Sequence, residues 1–153
     1  MPVRKVKEFL DAKGVKYITI SHSVAYTTPE IAASAHIHGK QMIKIVMIKT
    51  DGSMAMAILP STKMVNADAV KELAKAQKVE LAGEQEFKDL FSECEIGAMP
   101  PFGNLFGMKV YMDEVLKKEK EISFNAGSHT ELIKIAVEDF TRLVNPIIGK
   151  ISF

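Results

Sequence analysis

Apolar and polar residues alternate along this chain with two periods, one typical of helices and the other of strands. Residues 2–13 place apolar side chains three and four positions apart and precede Gly14, which predicts a first helix. Strict alternation over residues 17–21 predicts a strand. The same criteria predict further helices over residues 66–76 and 84–91, the first of them capped by Asn66. They also predict strands over residues 78–82, 109–113 and 121–126.

The clearest pattern is a pair of apolar segments, residues 42–49 and 53–59, separated by the turn sequence TDG. Asp-Gly is a favoured pair for a tight turn, so the two segments are predicted to form a hairpin. Residues 42–49 are apolar on both faces, which predicts a central strand in a sheet covered on both sides. In the second strand Ala55 and Ala57 share one face, and their small side chains leave room for a close helix or a ligand.

A helix is also predicted to begin within residues 27–35. Its first turn has two possible caps that differ by one residue. Thr28 can cap the helix with Pro29 at the first helical position, or Thr27 and Glu30 can form a capping box.

Residues 127–144 could form one continuous helix, but their composition favours two elements. Because β-branched residues crowd positions 130–137, a strand through Ile135 followed by a helix is predicted. Taken along the whole chain, the predicted strands and helices follow one another without a regular βαβ order, which indicates an α+β fold.

Composition and charge are those of an ordinary globular protein. The 153 residues are 47% hydrophobic and 25% charged, so one domain over residues 1–153 is expected. A net charge of +1 neither demands nor forbids a nucleic-acid partner. No apolar run approaches the roughly 18 residues of a membrane helix, and the amphipathic first segment does not resemble a signal peptide. The single cysteine, Cys94, excludes an internal disulfide and favours a cytoplasmic location.

The segment EIGAMPPFGN (95–104) places two consecutive prolines between two glycines. Pro100 and Pro101 have a fixed φ and no N–H, and they push the preceding residues toward extended geometry. Gly97 and Gly103 can adopt angles closed to other residues. The prediction is a stiff segment between two pivots, able to present the N–H groups ahead of the prolines to an oxyanion or a carbonyl oxygen.

Lys44 lies in an otherwise apolar strand, on one face with Met42, Val46 and Ile48. Lysines are almost never fully buried without a partner. Lys44 therefore either extends to water from near the strand end or lies at the floor of a cleft, where it could bind a phosphate or a carboxylate. Lys49, close to the turn, is expected to be solvated.

The histidines fall into two groups. His36 and His38 form an H-x-H pattern beside His22, but no nearby Asp, Glu or Cys completes a ligand set. No metal site is predicted, and a metal hydrolase built on these three histidines is kept only as an alternative. His129 follows Gly127 in a predicted loop, where it is either solvated or functional.

The sequence contains no recognisable motif for covalent catalysis. The serines lack a G-x-S-x-G context, and the acidic Glu95 beside Cys94 would not favour a thiolate. Glycine-rich loops of the Walker or dinucleotide type are absent. Any catalysis would rely on backbone donors, a bound water and positioning, and no cofactor is expected.

Five motifs, taken in order, resemble the YbaK/ProX-type aminoacyl-tRNA deacylases, which are related to the editing domain inserted in bacterial prolyl-tRNA synthetases. The motifs are HSVAYTTPEIA (22–32), MIKIVMIKTDG (42–52), AILP (57–60), EIGAMPPFGN (95–104) and NAGSHTELI (125–133). The resemblance extends from about residue 15 to residue 145. It implies a single α+β domain with a mixed, mostly antiparallel curved sheet flanked by helices.

The resemblance also implies an activity, hydrolysis of the ester of a mischarged aminoacyl-tRNA without a covalent nucleophile. Lys44 would contact the phosphate or ribose of the terminal nucleotide. The loop that begins at Gly97 would hold the ester carbonyl or the attacking water, and His129 would orient the aminoacyl end. These three residues are the expected catalytic residues; the expected substrate-binding residues are Thr27, Ala98, Met99, Pro100, Phe102, Gly103, Gly127 and Ser128.

Two positions bear on the substrate. Ala98 after Gly97, together with His129, is more similar to the freestanding branch that acts on alanyl-prolyl-tRNA than to the branch that removes cysteine. The implied partner is the 3′ acceptor end of a mischarged tRNA, with prolyl-tRNA synthetase as a further candidate. The alternative is a non-catalytic module that holds an aminoacyl-tRNA or nucleotide in the same pocket within a synthetase assembly.

Overall fold

Helices and strands alternate irregularly along the described part of the chain. The computed structural model describes residues 2–21, 41–91, 99–125 and 131–153. The strands are β1 (Tyr17–Ser21), β2 (Ile43–Thr50), β3 (Ser53–Pro60), β4 (Val79–Leu81), β5 (Lys109–Asp113), β6 (Glu121–Asn125), β7 (Glu131–Ala136) and β8 (Ile147–Gly149). The helices are α1 (Pro2–Ala12), α2 (Ala67–Ala74), α3 (Glu84–Phe87) and α4 (Val137–Val144), with 3-10 helices at Lys88–Phe91, Gly103–Phe106 and Glu114–Lys118.

These elements confirm the predicted α+β class. The passage from β7 directly into α4 confirms the strand followed by a helix that was predicted near the end of the chain. The predicted helix within residues 27–35 lies outside the described residues. None of the described helices is long and apolar enough to cross a membrane.

The described strands form two sheets. The larger sheet has the order β4-β2-β3-β5-β8, antiparallel between β4, β2 and β3 and parallel between β3, β5 and β8. The smaller sheet has the order β1-β7-β6 and is antiparallel. Most strand pairs are antiparallel, as expected, and both sheets contribute buried residues to a shared core.

The shared core draws on both sheets, α1 and α4. Its buried members include Val6 and Leu10 of α1, Met56 of β3, Phe124 of β6 and Phe140 of α4. Burial of large apolar side chains is the dominant favourable contribution to folding. The proline segment reaches this core through Met99 and Phe102.

The β2–β3 hairpin has the predicted geometry. Asp51 and Gly52 form its two-residue turn with φ angles of 49° and 85°, the positive values that an Asp-Gly turn of this kind adopts. β2 lies between β3 and β4, which confirms its central position. The small face of β3 packs against a helix: Ala55 and Ala57 belong to one buried cluster with Val70 of α2.

Lys49 is paired with acidic residues and is not simply solvated, so that expectation was wrong. Its Nζ forms an ion pair with Glu86 of α3 and lies 3.5 Å from a carboxylate oxygen of Glu80 in β4. The hydrogen bond to Glu86 raises the pKa of Lys49, and the same bond, aided by the Gly83 N–H, lowers the pKa of Glu86. The sequence near the turn does not reveal this pairing because β4 and α3 supply it from later in the chain.

Asn66 caps α2 as predicted. Its side-chain oxygen accepts a hydrogen bond from the N–H of Ala69 at 3.2 Å. We expect Asn66→Ala to lower the free energy of unfolding by about 1 kcal/mol, because a helix N–H loses its partner. Asn66→Asp is the control and should stay within about 0.5 kcal/mol of the wild type, since Asp caps equally well. Urea unfolding measures both variants, and equal losses would contradict the capping role.

The start of β2 and the ends of β3, β5 and β8 lie together at one side of the larger sheet. Ile43 at the start of β2 pairs with Pro60 at the end of β3. Because β3, β5 and β8 are parallel, the ends of β5 and β8 lie at the same side, where Asp113 pairs with Gly149. We call this side of the sheet the Lys44 edge.

Candidate functional site

Lys44 is the second residue of β2 and pairs with Leu59 of β3. Its side chain is half-buried, on the strand face that also carries Val46 and Ile48, as predicted. No described carboxylate forms an ion pair with it. A half-buried ammonium in apolar surroundings favours an anionic or strongly polar partner.

The start of β2 is also where the two sheets meet. Met42 pairs with Ser123 of β6 in parallel, and the Ser123 N–H donates to the Gln41 carbonyl at 2.8 Å. Lys44 and Asn125 each lie two residues further in the same direction. Since alternate residues of a strand share a face, Lys44 and Asn125 lie on the same face as the Met42–Ser123 pair. The junction thus brings Lys44 close to the end of the strand that precedes the G-S-H motif in sequence.

Two buried oxygens lie on this shared face. Ser123 exposes 1% of its surface and Asn125 8%, and neither Ser123 Oγ nor Asn125 Oδ1 has a hydrogen-bond partner among the described residues. Leaving a buried polar atom unpaired costs about 1–3 kcal/mol, so such atoms are uncommon in folded proteins. A ligand that donates hydrogen bonds at the junction would satisfy both oxygens.

Sequence reasoning missed Ser123 and Asn125. A signal was available, because asparagine is unfavourable in strands and Asn125 ends a predicted strand directly before the motif AGSH. Pairing between β2 and β6, which are far apart in the chain, was needed to show that both residues share a face with Lys44.

The proline segment is anchored in the core. Met99, Pro100, Pro101, Phe102 and Gly103 are all buried. The ring of Phe102 is completely buried and meets three other rings edge-on, those of Phe9, Phe124 and Phe140, at centroid distances of 5.8, 5.4 and 5.5 Å. Such edge-to-face pairs add to the stabilisation that burial provides. The segment is therefore stiff from its proline geometry and fixed through one aromatic side chain.

Gly103 is required for close packing and not as a pivot, which corrects the sequence interpretation. It begins a 3-10 helix and is absent from the residues with positive φ. A Cβ atom at this position would lie 2.6 Å from Val110 Cγ2 and 3.0 Å from the carbonyl oxygen of Met108. The positive φ occurs instead at Gly107, which ends this 3-10 helix.

Several predicted site residues lie outside the described ranges. They are Thr27, Gly97, Ala98, Gly127, Ser128 and His129, together with the alternative metal ligands His22, His36 and His38. Among the described residues, no group of three His, Cys, Asp or Glu side chains could hold a metal ion. The described part of the site thus consists of the Lys44 ammonium, two buried oxygens and a rigid proline segment.

Comparison with known sequences identifies related domains. A family model described as the aminoacyl-tRNA editing domain matches residues 22–143. The proline–tRNA ligase of Bacillus mycoides (strain KBAB4) is 29% identical over 87 residues, which are 57% of this chain and 15% of the ligase. That of Bacillus thuringiensis subsp. konkukian (strain 97-27) is 32% identical over 74 residues, 48% of this chain and 13% of the ligase. The chain therefore spans only a small part of these ligases.

Solved structures share the fold over nearly the whole chain. A crystal structure of a hypothetical protein superposes with a TM-score of 0.87 at 20% identity, covering 97% of this chain and 99% of that chain. A protein proposed to be a trans-editing enzyme for prolyl tRNA synthetase superposes with a TM-score of 0.84 at 18% identity, covering 99% and 97%. At these identities the likeness establishes the fold.

Proposed function

Since this chain belongs to the aminoacyl-tRNA editing domain family, we propose that it is a trans-editing deacylase that hydrolyses the ester between a wrong amino acid and the 3′ end of a tRNA. The observation that carries the proposal is the half-buried Lys44, which lies at the junction of the two sheets without a described carboxylate partner. The phosphate of a terminal nucleotide is an anion that this ammonium could bind through charge-assisted hydrogen bonds.

The proposed reaction needs a water and no covalent nucleophile. The water oxygen bonds to the ester carbonyl carbon, the bond from that carbon to the ribose oxygen breaks, and that ribose oxygen takes a proton from the water, which gives the free amino acid and the ribose hydroxyl. N–H groups of Gly97 and Ala98 would stabilise the negative charge that develops on the carbonyl oxygen. His129 would orient the aminoacyl end.

Two features of the described structure support this arrangement. The buried proline segment holds the chain after Ala98 rigidly, and rigidity matters because a displacement of about 1 Å can lower a rate by about 100-fold. Ser123 Oγ and Asn125 Oδ1 supply acceptors for the amino group or a ribose hydroxyl of the substrate. The binding energy of these contacts would orient the ester for attack by water.

Alanine attached to a proline tRNA is the proposed substrate. The proposal rests on Ala98 and His129, which are similar to the freestanding alanyl-prolyl branch. A pocket distinguishes neighbouring small side chains by only about 10- to 200-fold, so slower removal of a second small amino acid is expected. We propose prolyl-tRNA synthetase as the enzyme that charges this tRNA, because proline–tRNA ligases are among the relatives of this chain.

A deacylation panel tests this function. Purified protein is incubated with proline tRNA charged with alanine, cysteine or proline, and loss of the ester is followed over time. We expect rapid loss of alanine, slower loss of cysteine and no loss of proline above the rate in buffer. Binding of all three substrates without ester loss under single-turnover conditions would identify the non-catalytic module instead.

A further inference from the structure

A second polar pocket opens at the Lys44 edge, beyond the proposed deacylation site. Its volume is about 630 Å³, and four lysines line it: Lys63, Lys117, Lys118 and Lys150. They come from three separate segments that follow the ends of β3, β5 and β8. The fold, and not one basic run in the sequence, therefore assembles this group, which we call the lysine pocket.

Positive charge exceeds negative charge in the lysine pocket. All four lysines are exposed, and none forms an ion pair with a described carboxylate, whereas Lys7, Lys49 and Lys134 each have such a pair. Two carboxylates also line the pocket, those of Asp113 and Glu114, so positive charge is in excess.

Asp113 has a structural role at the base of the pocket. Its side chain is buried and accepts hydrogen bonds from the N–H of Val115 at 2.9 Å, the N–H of Ile151 at 3.0 Å and the hydroxyl of Ser152 at 2.6 Å. These bonds tie the segment after β5 to the segment after β8. Lysines on both segments are thereby held on one surface and remain available to a ligand.

The spacing of the strands gives the approximate distances from the ends of β3, β5 and β8 to β2, the strand that carries Lys44. Neighbouring strands lie about 4.8 Å apart, so the ends of β3, β5 and β8 are about 5, 10 and 14 Å from β2 along the edge. A tRNA whose 3′ end reaches Lys44 carries its next phosphates over a span of this size. Exposed lysines act as point charges that bind phosphates without reading sequence.

We propose that the lysine pocket binds the backbone phosphates of the nucleotides that precede the terminal one at the tRNA 3′ end, while the terminal nucleotide occupies the deacylation site. The proposal rests on the proposed function for the position of the 3′ end. A free phosphate ion is a poor occupant, because all four lysines are exposed and form no enclosed site. The lysine pocket supplies affinity common to all tRNAs and leaves discrimination to the deacylation site and its surroundings.

Lys117→Gln, Lys118→Gln and Lys150→Gln, combined in one variant, test the proposal. The matched control removes three exposed lysines elsewhere, with Lys16→Gln, Lys71→Gln and Lys109→Gln. Binding of uncharged tRNA is measured by fluorescence anisotropy at several salt concentrations. The pocket variant should bind about 10- to 100-fold more weakly, with a slope of log affinity against log salt reduced by about 3, and the control should change much less.

Hydrolysis of two substrates separates this proposal from the proposed function. The pocket variant should have a raised KM for full-length mischarged tRNA and an unchanged rate on 3′-aminoacylated adenosine 5′-monophosphate, which lacks the preceding phosphates. If the wild type cleaves neither substrate, the deacylase function is wrong, and the uncharged-tRNA measurement still decides the role of the pocket. Equal tRNA binding by the pocket and control variants would overturn the proposal, as would tighter binding of an acidic peptide than of RNA.

Discussion

Lys44→Met is expected to lower kcat/KM for the mischarged tRNA by about 10- to 150-fold, because a charge-assisted hydrogen bond to the substrate contributes about 1.5–3 kcal/mol. Methionine keeps the length and the apolar part of the side chain, so only the ammonium is lost. The measurement is steady-state deacylation of the substrate that the wild type clears fastest.

The same substitution should not destabilise the protein. Lys44 has no described ion-pair partner and is half-buried, so removal of its charge breaks no described pair and relieves a desolvation cost. The free energy of unfolding of Lys44→Met should equal or exceed that of the wild type. A loss of activity together with unchanged or higher stability is what distinguishes a ligand-binding lysine from one that only extends to water.

Lys49→Met provides the matched control on the same strand. Lys49 is paired with Glu86 and Glu80 near the hairpin turn, at the opposite end of β2 from Lys44. Its replacement should leave deacylation unchanged and slightly lower the stability. If Lys44→Met retained activity within about twofold of the wild type while Lys49→Met did not, the assignment of the deacylation site would be wrong.

Phe102→Ala is expected to lower the free energy of unfolding by about 3–5 kcal/mol, the usual range for removal of a fully buried phenylalanine. The ring exposes none of its surface and contacts Phe9, Phe124 and Phe140. Its loss leaves a cavity that these rings can fill only in part. Urea unfolding followed by circular dichroism gives the difference.

Phe153→Ala is the control for this prediction. Phe153 exposes 68% of its surface, so its truncation should change the free energy of unfolding by about 0.5 kcal/mol or less. Phe102→Leu, which keeps most of the buried volume, should fall between the two alanine variants. A loss below about 1 kcal/mol for Phe102→Ala would show that the proline segment is not anchored through this ring.

Phe102 should also affect catalysis without contacting the reacting atoms. At a low temperature, where the alanine variant remains folded, a looser proline segment would misplace the N–H groups ahead of it and lower kcat more than it raises KM. Phe102→Leu should restore much of the rate. Phe102 is accordingly a positioning residue in the proposed mechanism.

The local structure could be read from the sequence because short-range chemistry determines it. Asp51 and Gly52 form the hairpin turn, Asn66 caps α2, and the β-branched residues before Ile135 form a strand ahead of a helix. The five motifs, taken in their order along the chain, also led to the correct family, although the matched ligases are only about 30% identical to this chain.

The packing at the site could not be read in this way. Gly103 was interpreted as a pivot, yet it is needed because Val110 and Met108 approach its backbone. Lys49 was expected to be solvated, yet a later strand and helix bring Glu80 and Glu86 to it. In both cases the deciding atoms belong to residues outside the local pattern.

Periodicity, turn chemistry and capping were enough to predict the elements, the α+β class and the lysine and proline motifs, because these signals act over a few residues. The meeting of β2 with β6, which puts Lys44 on one face with the buried oxygens of Ser123 and Asn125, is visible only in the folded chain. The same holds for the lysines that follow three strand ends and surround one pocket. Both arrangements depend on the parallel and antiparallel pairing of distant strands, which is fixed by burial in the shared core and not by any local pattern.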